Sequence, residues 1–320
     1  MQDEQFMILH YDSDAAPEGL ATSGRFAQNK SRWRINNYGW NSAIDYQAAS
    51  ERDRPTAIII GDSYIAGYYV DWQEHVAAQL QSKAQDELLV YSLGMHGVSL
   101  AGHINVARYA KHHFDPDIYI FSVNADDLEA SIHKGLGKPE DMKLSVEDNE
   151  ILEVQPRTFT TSKVKSLIKY SSLARYLILN ANINPERIQI KPKKRSAGAE
   201  PNKHSEGKEP LQPVANYIFQ RLREELPAAT LIFAIDGNRE TIYKTFPEQP
   251  DPIEAEPYIT QAAAEIDAYS LNLNDSFFKH YKESQKRFDF PYDYHWNALG
   301  NEVVADALYQ LIKQNRLIDK

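Results

Sequence analysis

The chain has 320 residues, 42% hydrophobic and 25% charged, the composition of a folded protein with room for one large α/β domain or two small ones. A formal net charge of −10 argues against nucleic acid or an anionic membrane surface as the main partner. No cysteine is present, which excludes disulfides, thiol catalysis and cysteine-ligated metals, and no apolar run approaches the roughly 20 residues of a spanning helix.

In chain order, residues 1–50 read as an extended lead-in rich in aromatics and turn formers, including Trp33-Arg34-Ile35-Asn36-Asn37-Tyr38-Gly39-Trp40. Its first residues, Met1-Gln2-Asp3-Glu4-Gln5, are polar and acidic and do not read as a signal peptide. A periplasmic or other extracytoplasmic location is the expectation if a signal or anchor has been removed upstream. Residues 56–61 form a short β-branched run that ends in glycine, the pattern of a buried strand. A helix is expected from Trp72 to Leu80. A second strand follows at Leu88 to Leu93, closed by Gly94 and Gly97, then a helix over residues 99–113. Asp115-Pro116 stops that helix, and Ile118 to Phe121 makes a third strand.

Beyond residue 126 the pattern is less regular. A helix is expected near Lys163–Asn180, between Pro156 and Pro185. Lys191–Pro213 holds almost no large apolar residues and reads as a mobile excursion or partly disordered loop. A helix from Val214 to Glu225, a strand at Thr230–Ile235 and a turn at Asp236-Gly237 come next. A helix at Ile259–Ala268, a short strand near Leu271–Leu273 and a closing amphipathic helix over Gly300–Ile312 complete the reading.

Strands alternating with helices at this spacing predict a three-layer α/β sandwich with a mainly parallel sheet. The organisation expected is a 1–50 extension and a 51–320 α/β domain with an insertion at about 126–213. In such sheets ligands bind at the rim formed by the carboxyl ends of the strands. Ser63, Gly97 and Asn124 each fall just past a strand.

Two stretches carry the chemistry. Ala57-Ile58-Ile59-Ile60-Gly61-Asp62-Ser63-Tyr64 is an apolar run that delivers a serine at its end, and Asp293-Tyr294-His295-Trp296-Asn297 sets a carboxylate and an imidazole two residues apart. Hydroxyl, base and base-orienting acid are the three parts of a serine nucleophile system. Each part has a plainer reading when taken singly. Gly-Asp-Ser is a turn tripeptide, Asp293 and His295 suit a surface pair, Asn124 suits a helix cap, and Gly97 merely ends a strand, with Gly94 competing for its place. Asp62 suits a local acceptor of backbone N–H groups better than a second acid. His96 and His103 fit either the rim or a structural role. His112-His113 lack the i, i+4 spacing of a metal pair and no H-E-x-x-H occurs, so neither metal nor cofactor is inferred. Tyr64, Tyr68, Tyr69, Tyr292, Tyr294 and Trp296 cluster around these motifs and suit either sugar stacking or core packing, Tyr64 and Trp296 being the candidates for substrate contact.

Gly61-Asp62-Ser63, the glycine in Ser92-Leu93-Gly94-Met95-His96-Gly97, Asn124 and Asp293-Tyr294-His295 together resemble the four blocks of the SGNH (GDSL-type) hydrolase superfamily. The resemblance covers roughly residues 55–130 and 285–312. It implies a flavodoxin-like sheet, Ser63 as nucleophile, His295 as general base and Asp293 as the group holding the imidazole tautomer. It also implies an oxyanion hole made by the Ser63 and Gly97 backbone N–H groups and the Asn124 side chain. Arg34-Ile35-Asn36-Asn37-Tyr38-Gly39 is similar to a segment preceding the serine in extracytoplasmic bacterial members. Asp-x-His-Trp-Asn followed by a glycine is similar to a subgroup associated with O-acetylation of cell-surface polysaccharides. Two positions depart from the pattern: the third block reads Ser122-Val123-Asn124-Ala125 instead of Gly-x-Asn-Asp, and Ser92 stands where the second block has asparagine.

The expected activity is hydrolysis or transfer of an ester-linked acyl group through an acyl-Ser63 intermediate, on O-acetyl groups of carbohydrate or another small ester. A transferase would further need an acyl donor, for which a membrane partner is one source that the sequence does not specify. A lipid esterase or thioesterase, which needs a long apolar groove, and a non-catalytic carbohydrate-binding or assembly module are the alternatives.

Overall fold

The computed structural model describes residues 2–12, 18–23, 28–134, 139–147, 150–158 and 211–319. The expected helix at Lys163–Asn180 lies outside the described residues, as does the Lys191–Pro213 segment up to residue 210. Leu211 to Pro213 open a helix instead, the proline falling in its first turn where a missing N–H costs nothing.

The lead-in forms two antiparallel hairpins, β1 (Gln2–Asp3) with β2 (Ile8–Leu9) and β3 (Glu18–Ser23) with β4 (Asn29–Arg34). The chain continues through β5 (Thr56–Gly61), α1 (Ser63–Ala66), α2 (Val76–Ala84), β6 (Leu89–Gly94), α3 (His103–Phe114), β7 (Ile118–Val123) and α4 (Asp127–Ala130). The helix expected at Trp72–Leu80 is a 3-10 turn at Trp72–Glu74 followed by α2, with His75 between them accepting from the Ala77 amide. A hairpin of β8 (Lys143–Glu147) and β9 (Glu150–Val154) occupies the start of the insertion. Then come α5 (Leu211–Glu225), β10 (Thr230–Ile235), α6 (Arg239–Thr245), α7 (Glu256–Glu265), β11 (Tyr269–Asn272) and α8 (Leu273–Ser284). The antiparallel pair β12 (Asp289–Phe290) and β13 (Asp293–Trp296) precedes α9 (Ala298–Gln314).

Five strands make one parallel sheet in the order β11-β10-β7-β5-β6. The three-layer parallel α/β reading therefore holds, with the flavodoxin-like strand order. β5, β7 and nearly all of β10 are buried at every position, because alternate side chains enter different cores. Ile58, Ile60, Tyr119, Phe121 and Phe233 pack on the side of α3, α5 and α7. Ile59, Ile118, Ile120, Ile232 and Ala234 pack on the side of α2, α8 and α9. The chain reverses its direction of winding between β5 and β7, and at such a switch point two loops diverge and leave a crevice. Ser63 follows β5 and Asn124 follows β7. Among the described residues no helix is long and apolar enough to cross a membrane.

The lead-in is part of this packing. Ile8, Trp40 and Tyr46 enter the first core, and Tyr46 stacks on Tyr91 at 4.1 Å between ring centroids. Asn36 closes the turn of its segment by accepting from the Tyr38 and Trp40 amides. Asn41 donates to the Ala66 carbonyl at 2.9 Å, Ser31 to that of Tyr68 and Asn29 to that of Tyr69 at 2.6 Å. The lead-in thus braces the loop that follows the candidate nucleophile. Ser92, in the place of the expected asparagine, donates from its hydroxyl to the Asn41 carbonyl at 3.3 Å, and its amide donates to Tyr46 Oη at 2.8 Å.

Candidate active site

Asp62 ends the sharp turn out of β5 and caps α1, its carboxylate accepting from the Tyr64 amide at 2.9 Å. That sets Ser63 at the amino end of a one-turn helix on the sheet rim. Gly94 is required for this seating, because a Cβ there would lie 2.0 Å from the Ala66 nitrogen. Gly97 has the opposite character, with φ at +71° and nothing within 4 Å of where a Cβ would stand. Gly94 is therefore the packing glycine and Gly97 the one that faces open space.

The β12–β13 hairpin brings His295 to Ser63 across 232 residues of sequence, with Nε2 2.7 Å from Oγ. His295 Nδ1 bonds the Asp293 carboxylate, which also accepts from the His295 amide at 2.9 Å. A carboxylate at Nδ1 favours the tautomer carrying its proton there, leaving Nε2 to accept from the serine hydroxyl. Burial pushes Asp293 upward, but the bonds from the His295 ring and amide outweigh it and hold its pKa below the usual range. Asp293 is thus ionised at neutral pH. Tyr69 stacks on the imidazole at 3.7 Å with planes 12° apart, and Tyr64 lies on it at 4.6 Å.

Asn124 is buried, and its side-chain amide interacts with the Asp62 carboxylate without making a well-formed hydrogen bond. It does not cap α4, whose preceding residue is Asp126. A buried primary amide so poorly satisfied calls for an explanation. Its backbone N–H donates to Asp127 Oδ2 at 2.7 Å. Ala125 stands where the block it resembles has an aspartate, and Asp127, two residues later, supplies a carboxylate that secures the Asn124 backbone N–H. Sequence reading noted the loss of that aspartate but missed this substitute.

Burial pushes Asp127 well above the ordinary carboxylate range, and the neighbouring Asp62 charge pushes further; the Asn124 amide pulls it back only in part. Asp62 is raised for the same first reason, burial, partly offset by the Tyr64 amide and His295. A carboxyl whose folded pKa exceeds its unfolded value favours the native state at acid pH, and that favour is lost as pH rises from about 4 through the folded pKa. Asp127→Asn keeps an acceptor for the Asn124 amide and removes the charge. Its melting temperature should consequently gain on that of the wild type between pH 5 and pH 8, followed by scanning fluorimetry in matched buffers. An equal offset at the two pH values would mean that Asp127 carries no such linkage.

Other expected positions sort differently. Trp296 is only 2% exposed and its indole donates to Asp236 Oδ1 at 3.1 Å, so its place as a substrate contact is corrected to one in the core. Tyr64 has its hydroxyl committed to the Tyr294 carbonyl at 2.9 Å. His103 lies in the core against Phe121, its pKa lowered to about 3 by burial, and does not reach the rim. His96 is exposed and packs on Tyr68 at 5.4 Å. Asn297 caps α9 by accepting from Gly300 and ties the hairpin down by donating to the Arg287 and Asp289 carbonyls.

No protein-family model and no curated protein sequence matches the chain. Among solved structures it is similar to an acetyl xylan esterase at 12% identity, over 80% of this chain and 99% of that one, with a TM-score of 0.43. A lipase/acylhydrolase from Enterococcus faecalis is similar at 12% identity over 82% and 96% of the two chains, TM-score 0.43. A member of the lipolytic G-D-S-L family from Veillonella parvula aligns at 10% identity over 81% and 98%, TM-score 0.41.

Proposed function

We propose that this chain is an SGNH-type serine esterase or acyltransferase that works through an acyl-Ser63 intermediate on O-acetyl groups of carbohydrate. The observation that carries the reading is the unbroken line of contacts from Ser63 Oγ through the His295 ring to the Asp293 carboxylate. Ser63 Oγ attacks the ester carbonyl carbon while His295 Nε2 takes the hydroxyl proton. The oxyanion that forms is met by donors on the same rim, the Ser63 and Gly97 N–H groups and the Asn124 amide. His295 then returns the proton to the departing sugar oxygen, leaving acetyl-Ser63. Water or a sugar hydroxyl opens that ester with His295 again taking the proton, so one intermediate serves hydrolysis and transfer alike.

The carbohydrate part of the reading is supported by the surface beside the triad. Tyr69, Phe290 and Tyr292 run in sequence, with ring centroids 6.4 Å and 5.9 Å apart, and Tyr292 and Tyr294 are 37% and 71% exposed. A cavity of about 510 Å³ lies along Tyr69 and Phe290 and is also lined by Asp71, Glu74, Lys286 and Arg287. Aromatic faces interspersed with charged groups suit a polyhydroxylated ring and poorly suit a fatty acyl chain.

A fluorophosphonate probe should label wild-type Ser63 and spare Ser63→Ala, read by peptide mass spectrometry. On p-nitrophenyl esters kcat/KM should peak at acetate or propionate. A steady rise toward decanoate, against the ~0.8 kcal/mol that each buried methylene offers in an apolar groove, would replace this substrate reading with a lipid esterase.

A further inference from the structure

We propose that Arg239 is a positioning residue of the triad, holding the nucleophile turn and the histidine hairpin together through Asp236 and Tyr64. The inference rests on the triad reading above. Arg239 opens α6, just past β10, and is 6% exposed. A single guanidinium nitrogen, Nη2, donates to Asp236 Oδ2 at 2.9 Å and to Tyr64 Oη at 3.0 Å. Tyr64 adjoins Ser63, and its hydroxyl donates a hydrogen bond to the Tyr294 carbonyl at 2.9 Å. Asp236 accepts the Trp296 indole through its other oxygen. Tyr294 and Trp296 flank His295 in the chain. One buried cation therefore links, through Asp236 and Tyr64, the Trp296 indole and the Tyr294 carbonyl on either side of the general base to the residue next to the nucleophile.

Stability gives no sufficient reason for such a group. Withdrawing an arginine and an aspartate from water is costly, and apolar replacement of buried pairs is often neutral or stabilising. Arg239 Nε and Nη1 have no hydrogen-bond partner, and the guanidinium carbon lies 5.5 Å and 5.6 Å from the Tyr64 and Phe277 ring centroids. The pair is half-satisfied as an ionic network but complete as a strut. Its value lies in position: a displacement of about 1 Å in a reacting group can cost ~10²-fold in rate.

Tyr64→Phe deletes the shared hydroxyl at constant volume, and Arg239→Met deletes the charge. On a small acetyl ester each should lower kcat about 10- to 100-fold with KM little changed; the melting temperature should stay nearly unchanged in Tyr64→Phe and fall in Arg239→Met, which strands the Asp236 carboxyl. The double variant should lose little more than the worse single one, since both cut the same path. Arg239→Lys, which keeps donors for the two acceptors, should recover part of the loss. A readout independent of turnover is the proton NMR signal of His295 Nδ1–H, which should shift or broaden in Tyr64→Phe and Arg239→Met. If wild-type Ser63 takes up no probe, the functional reading fails while the NMR comparison still decides this one. Wild-type kcat together with an unmoved Nδ1–H signal in a folded Tyr64→Phe variant would overturn the proposal, and that variant decides alone if Arg239→Met does not fold.

Discussion

Replacing Ser63 or His295 by alanine should lower kcat on an acetyl ester by about 10⁴- to 10⁶-fold, and the double variant should be no worse than either single one. The reason lies in the contact between them. Ser63 Oγ is a weak nucleophile unless its proton leaves as the bond to carbon forms, and His295 Nε2 stands at hydrogen-bonding distance of that hydroxyl, 2.7 Å away. Removing either partner removes the whole step. Asp293→Asn should cost less than these, about 10⁴-fold, by allowing the tautomer with its proton on Nε2. Additive losses, or a His295→Ala enzyme at full rate, would show that the two groups do not act as one unit.

Much of this site was legible because its parts are local. A β-branched run ending in Gly-Asp-Ser specifies a strand, a turn and a hydroxyl at the sheet rim within eight residues, and Asp293 with His295 needs only one hairpin. Strand positions along β5, β7 and β10 were readable for the same reason, each being a short apolar run between breakers. The strut was not legible. Asp236-Gly237 reads as a turn, and nothing near Arg239 in sequence marks it as partner to Tyr64, 175 residues away. Asp127 was hidden differently: the family block placed attention on Ala125, and a carboxylate two positions on serves once the chain enters α4. The α8 helix was a missed local signal. Asn272 caps it, and Leu273, Phe277 and Tyr281 recur at four-residue spacing through an otherwise polar stretch. Trp296 was misplaced because an aromatic beside a candidate catalytic histidine has the same appearance in sequence whether it faces sugar or core.

Asn124→Ala should lower kcat by about 10²- to 10³-fold, the typical loss of one oxyanion donor, with KM nearly unchanged. The argument joins energetics to chemistry. Both polar atoms of the Asn124 side chain are buried and make no well-formed hydrogen bond, though the side chain interacts with the Asp62 carboxylate and the backbone N–H is held by Asp127. An amide so poorly satisfied adds little to folding, so alanine at this position should leave the melting temperature nearly unchanged. A side chain that adds little to stability at rest and gains its full partner only when charge develops on the substrate oxygen is the expected profile of a preorganised donor. The rate should therefore fall while stability hardly moves in this variant. Asn124→Asp should be slower still, since a carboxylate would face the developing oxyanion with like charge. Activity within about threefold of wild type for Asn124→Ala would remove the side chain from the oxyanion hole, and a melting temperature lowered by several degrees would assign it to the architecture of the β7–α4 loop instead.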